Sequence, residues 1–377
     1  MALTLYSAKG LHRNPSVKVR KISYVIDPIL FLADAAGKVR GQFSLVNGDP
    51  FIFLADAAGK QRGKFFLMNG NPVFLLADAA GKQRGTFCLV NGNPILNLSD
   101  ATQKTRGEFK LLANGDPSLG LYDVEEKSRG SFYLNNGDPR LSLADASKKI
   151  RGLFCLADGD PGLNLLDATG KVRGTYALMD KGDPNLLLTD ATQTIRGAFY
   201  LKKEGDPRIN LCDAAGKQRG IFCLANGEPR LALADTTEKA RGLFFMENGN
   251  PNLVLADAAG KTRGEFIMDG DNPKLGLADA AGETRGVFHL LNGNPSLLLA
   301  DTTGLTRGEF TIDGANPRLG LVDSQGKMRG AFYLENDNPN LILGDATGKI
   351  RGWLRLMNGE PSLTLGDAMG KPLWSAP

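Results

Sequence analysis

One sentence of sequence is written over and over. FLADAAGKQRGKFFLMNGNP at residues 53–72 is followed by VFLLADAAGKQRGTFCLVNGNP at residues 73–94. Prolines mark the period: Pro28, Pro50, Pro72, Pro94, Pro117, Pro139 and so on to Pro361 recur every 22 or 23 residues. Such a chain grows by adding units, so its length does not count domains in the ordinary way. Asp holds one phase from Asp34 to Asp367, and Arg-Gly follows six residues later from Arg40 to Arg351. An aromatic comes three residues after Arg, with Tyr176 and Leu354 as the departures from Phe.

Each unit reads as two short strands. The segments x-L-x-L-x and G-x-F-x-L-x both alternate with period two, while Gly and Pro every few residues exclude helix. D-A-x-G-K has the chemistry of a tight turn, and Asn-Gly suits a two-residue hairpin loop. Two architectures accommodate two strands per unit: an antiparallel meander of hairpins or a two-faced parallel β-solenoid. A solenoid stacks like charges at about 4.8 Å, which is unfavourable, whereas a meander lets each Asp approach an Arg. Pairing across Asn-Gly sets Phe65 opposite Phe74 and Leu67 opposite Pro72, keeping apolar side chains on one face. The three long copies, LLANGDP, LMDKGDP and LKKEGDP, carry their extra residue near that same turn. The expected fold is therefore all-β, a meander of tandem hairpins wound into a superhelix or ring. A one-residue bulge is needed to keep the faces in step across D-A-x-G-K, and the Gly after each Arg is its expected place. Phe and Leu are expected to line a common interior. Asp56 with Arg62, Asp78 with Arg84, and Asp257 with Arg263 are expected to pair as a structural ladder.

A longer period lies inside the short one. The residue after Arg-Gly in every third unit is Thr86, Leu153, Ile221, Val287 and Trp353. Two residues on, the same units read Cys88, Cys155, Cys223, His289 and Arg355; the preceding units read Phe66, Tyr133, Tyr200, Ile267 and Tyr333. These side chains lie on the face opposite Phe and Leu. Fifteen hairpins over residues 29–361 thus group as five triplets. Residues 1–28 read as a degenerate N-terminal cap repeat and 362–377 as a truncated one in which Pro372 blunts an edge.

Chemistry is sparse. The two histidines are His12 and His289, and no spacing of His and Cys makes a metal site. No phosphate-binding loop occurs. Catalytic, cofactor-binding and metal residues are all expected to be none, and residues 11–20 form the only non-repeat insertion that could argue otherwise. With 45 basic and 41 acidic residues the chain is near charge balance, and each Arg has its own Asp. Nucleic acid is therefore not an expected partner, and no apolar run is long enough for membrane insertion. MALTLYSAKGLHR lacks an apolar signal core, so the chain is expected in the cytoplasm or exported without a cleavable signal peptide. The four cysteines fit reduced thiols.

The unit L-x-L-x-D-A-x-G-K-x-R-G-x-F resembles the YD repeats of Rhs-type proteins, and in length the hairpin arrays of MORN type; Tyr122-Asp123 carries the YD pair itself. That resemblance implies turn-linked hairpins in a long spiralling sheet, without assigning any functional residue. The expected function is a non-catalytic structural repeat protein that self-associates into a filament or ring, with Leu153, Ile221, Val287 and Trp353 as interface candidates. The alternative is a binding or adhesion module that presents Tyr133, Tyr200 and Tyr333 to a glycan or protein.

Overall fold

The computed structural model describes residues 29–157, 159–179, 182–202 and 205–377. The cap repeat expected at 1–28, with His12 and residues 11–20, lies outside them. The chain divides into two units, the first ending at Gly182 and the second running Asp183–Pro377. Among the described residues the first holds fourteen strands, β1 (Ile29–Ala33) to β14 (Val172–Met179). The second holds eighteen, β15 (Asp183–Thr189) to β32 (Pro372–Ala376). Within each unit every strand is antiparallel to its sequence neighbours, as at β1–β2, β13–β14, β15–β16 and β31–β32. No helix occurs among the described residues. The meander is thus the architecture, and the solenoid alternative falls because all pairings are antiparallel.

One hairpin explains the rest. β4 (Gln61–Met68) and β5 (Asn71–Ala77) meet with Phe65 opposite Phe74 and Leu67 opposite Pro72. Their turn is Asn69-Gly70, with φ of 53° and 77°. Both values lie in the left-handed region that a type I′ turn needs, which is why Asn and Gly recur there. Pro72 is the second residue of its strand, next to the turn, where a missing N–H does little harm. The longer copies place their extra residue in this turn: at 112–116, Leu112 N–H donates to Asp116 O (2.8 Å) and Gly115 takes the left-handed position.

At the other turn Asp56 N–H donates to Lys60 O (2.9 Å) and Gly59 N–H to Asp56 O (2.9 Å). The register then shifts by one: Ala55 pairs with Gln61 but Leu54 with Gly63. A bulge is present, as expected, but the extra residue is Arg62 rather than Gly63. Placing it at Arg releases that side chain from the ladder and lets it reach back to the Asp of the turn.

The expected common interior is not what the strands build. Phe65 is 47% exposed and Leu76 49%, and the same holds for Phe and Leu in hairpin after hairpin. Strands that pair only with their sequence neighbours make a single layer, and among the described residues nothing covers this face. The other face is the sheltered one. Val73, between Phe66 and Cys88, is 4% exposed, and Asn340, between Tyr333 and Arg355, is 3%.

Candidate interaction surfaces

Three surfaces are available: the turns, the Phe/Leu face and the opposite face. At the turns one Asp does two jobs. Asp56 Oδ1 accepts N–H groups from Ala58 (2.9 Å) and Lys60 (2.9 Å), while Oδ2 accepts Nε of Arg62 (2.6 Å). Asp78 with Arg84 and Asp257 with Arg263 repeat this, each Nε–Oδ2 distance being 2.7 Å. The ladder expected from spacing is therefore present, inside each unit. Arginine also hands over to the next hairpin. Arg285 Nη1 donates to Asp301 O (2.6 Å), Arg307 Nε to Val322 O (2.7 Å), and Arg40 to Asp56 O.

These bonds hold the turn carboxylates from Asp34 to Asp345 below the usual range, because every one of them favours the charged form. At Asp56 the Lys60 backbone N–H is the largest cause. At Asp190 and Asp301 a threonine hydroxyl two residues on, Thr192 or Thr303, is the largest, and both fall to about 2. A carboxylate already filled by its own turn and an arginine is a poor ligand for a cation. Among the described residues no group of His, Cys, Asp and Glu is arranged to hold a metal.

The Phe/Leu face carries Gly63, Phe65, Leu67, Pro72, Phe74 and Leu76 in the example hairpin. Its equivalents throughout are uncharged. Leu354 is the one non-aromatic among the Phe positions, and beside it Phe332, Leu341, Pro339 and Leu356 line a shallow apolar depression.

On the opposite face the candidates from sequence do not form one stripe. β12 (Ile150–Ala157) sets Leu153 between Ser142 and Asn164. β18 (Gln218–Ala225) sets Ile221 between Asn210 and Ala232. Val287 lies between Gly276 and Leu298, and Trp353 between Ile342 and Thr364. Tyr133 adjoins Arg140, Tyr200 adjoins Arg208, and Tyr333 lies between Arg318 and Asn340. All seven are half-buried.

Two features of this face escaped the sequence reading. Cations follow proline at Arg140, Arg208 and Lys274 and fall between the Tyr column and the Cys/His column. The signal was there, in the residue after Pro139, Pro207 and Pro273. The second is a pairing of Glu with Gly: Glu108 faces Gly120, Glu265 faces Gly276, and Glu309 faces Gly320. A Cβ on Gly276 would come within 2.8 Å of Glu265 Oε1, so glycine lets the glutamate lie flat and accept Lys274 Nζ at 2.9 Å.

Neither a family model nor a curated protein matches this sequence. Among solved structures, a Photorhabdus luminescens Tc holotoxin pore is similar over 93% of this chain and 18% of its own, at 11% identity and a TM-score of 0.14. A TcdB2-TccC3-Cdc42 crystal structure is similar over 93% and 26%, at 11% identity and a TM-score of 0.16. A TcdB2-TccC3-TEV crystal structure gives 93% and 24%, 10% identity and a TM-score of 0.13. The chain thus spans about a quarter or less of the length of these proteins. TM-scores this low carry no argument, and function is argued from the chain's own residues.

Proposed function

We propose that this chain is a non-catalytic structural repeat protein whose copies associate through the Phe/Leu face. The observation that carries the reading is the uncovered, uncharged face itself. In the second unit Phe199, Phe222, Phe244, Phe266, Phe288, Phe310 and Phe332 are each about half exposed. At roughly 200 Å² per aromatic side chain they present on the order of 700 Å², before the leucines are added. Largest patches on ordinary monomers are about 300–600 Å², and a standard interface takes about 800 Å² from each partner. A second copy is the natural occupant, because its Phe and Leu rows repeat at the same strand spacing and interdigitate along the whole face, as two sheets do in a sandwich. Closed pairs or open filaments follow from whether that contact is symmetric.

Sedimentation velocity over a range of concentrations tests this. The wild-type chain should associate, and a variant with Phe222→Glu, Phe266→Glu and Phe310→Glu should sediment as a folded monomer. A strictly monomeric wild type at high concentration would overturn the reading.

A further inference from the structure

The opposite face carries a row of side chains that self-association leaves unused. β16 (Ile195–Leu201), β17 (Pro207–Cys212), β18, β19 (Glu228–Ala234) and β20 (Ala240–Glu247) are consecutive in the second unit. Across them Tyr200, Arg208, Cys223, Arg230 and Phe245 stand directly opposite one another in turn. Two guanidinium-bearing residues therefore flank one thiol, about 10 Å apart, with an aromatic ring outside each.

Neutral groups hold these cations in place. Arg208 Nε donates to Asn210 Oδ1 (2.8 Å) and Nη2 to Gln218 Oε1 (3.3 Å). The same Asn210 amide donates Nδ2–H to the Tyr200 hydroxyl (3.1 Å), so ring and guanidinium form one fixed platform. Arg230 lies over the Phe245 ring, 5.8 Å from its centre. Among the described residues neither guanidinium has a carboxylate partner, whereas the turn arginines next to them do, Arg219 with Asp213 and Arg241 with Asp235. Glu228, two residues from Arg230, accepts the Gly249 N–H (3.0 Å).

The first unit repeats half of the motif, with Gly162 where the second arginine would stand. Tyr133, Arg140 and Cys155 face one another across β10 (Ser128–Asn135), β11 (Asp138–Ala144) and β12. Arg140 forms no ion pair among the described residues, and its buried Nε has no hydrogen-bond acceptor. A buried N–H left without an acceptor is costly and rare.

We propose that these rows bind acidic glycans. Arg208 and Arg230 take sugar carboxylates over Cys223, and the apolar face of a sugar ring lies on Tyr200 or Phe245. Guanidinium suits the planar, two-oxygen carboxylate, and an aromatic ring offers a flat apolar surface beside it. A nucleic acid needs cations along its whole backbone, and here the turn arginines are neutralised by aspartate. A peptide cannot add as a strand, since β16–β20 are paired on both sides. The inference rests on reading this face as a ligand surface, and holds whether or not the Phe/Leu face associates.

The test uses the full chain and a galacturonate oligomer. Alkylation of Cys223 by a neutral thiol reagent is followed by mass spectrometry. Cys88 is the internal control, because its direct neighbours Val73 and Ile95 are uncharged and Lys110 beyond them is paired with Glu108. Oligomer at about ten times its Kd should slow labelling of Cys223 about tenfold, in proportion to the free fraction, and leave Cys88 unchanged. Arg230→Gln, at an exposed site, should weaken binding by a similar factor with unchanged circular dichroism. Arg208→Lys should also weaken it, since lysine lacks the fork. Equal protection by a neutral glucan oligomer would keep a ligand surface but overturn the acidic class. No protection of Cys223, or equal protection by single-stranded DNA or inorganic sulfate, would overturn the proposal outright.

Discussion

The two faces of these sheets share every backbone hydrogen bond and differ in everything else. One repeats Gly, Phe, Leu, Pro, Leu, Leu almost without change and lies half exposed. The other varies from unit to unit, mixes Tyr, Arg, Cys, Glu and Gly, and is better sheltered. Sameness on an uncovered face fits contact with another copy, where each row must meet an identical row. Variety on a sheltered face fits local packing and local recognition, where each row answers only to its two neighbours.

The contrast is open to measurement. The largest effect should come from charge on the uniform face: the triple Phe→Glu variant should weaken association by well over tenfold, while Val287→Thr on the other face leaves sedimentation unchanged. If Val287→Thr dissolves the assembly and Phe→Glu does not, the roles of the faces are reversed. Acid comes next, because it acts on many turns at once. The turn carboxylates from Asp34 to Asp345 have folded-state values below the unfolded value of about 3.9. Each therefore stabilises the fold above that pH, and the stabilisation is lost as pH falls toward the folded values of about 2 at Asp190 and Asp301. Circular dichroism should show unfolding begin between about pH 4 and pH 2, with no loss between pH 5 and pH 8. Unfolding that starts at neutral pH would remove the ladder from this account.

On the varied face, Gly276→Val pushes side-chain atoms into Glu265 and should cost about 1–3 kcal/mol by thermal denaturation, with part recovered by adding Glu265→Ala. The same change at Gly63, which has open space beyond its Cα, should cost less. The smallest effect belongs to a turn, which lies on neither face. Lys148 takes φ of 66° where most copies have Gly. Lys148→Gly should raise stability by about 0.5–1 kcal/mol, and a lowered melting temperature would count against strain there.

Much of this was legible in the sequence. Asn69-Gly70 fixed the pairing of Phe65 with Phe74, because a two-residue turn leaves a single register. The need for a bulge was legible from the mismatch of faces across D-A-x-G-K. Its place was missed by one residue because a backbone argument favours Gly63, whereas the side-chain bond from Arg62 to Asp56 decides it. That Phe65 and Leu76 stay uncovered was not legible, since alternation reveals which residues share a face and is silent on what lies over it. The Tyr200 column was found by its period, but Arg208 came to light only when strand pairing put it between Tyr200 and Cys223.

The forward reach of arginine has a consequence for how such a chain comes to be. Arg285 closes its own turn through Asp279 and then grips the carbonyl of Asp301 in the next hairpin, whose Arg307 in turn grips Val322 O in the one after. Modules joined in this way, from Arg40 to Arg329, carry both plug and socket. Insert or delete one in the middle and the join on either side is restored by the same parts, so gene duplication can lengthen or shorten the protein without redesigning a single contact.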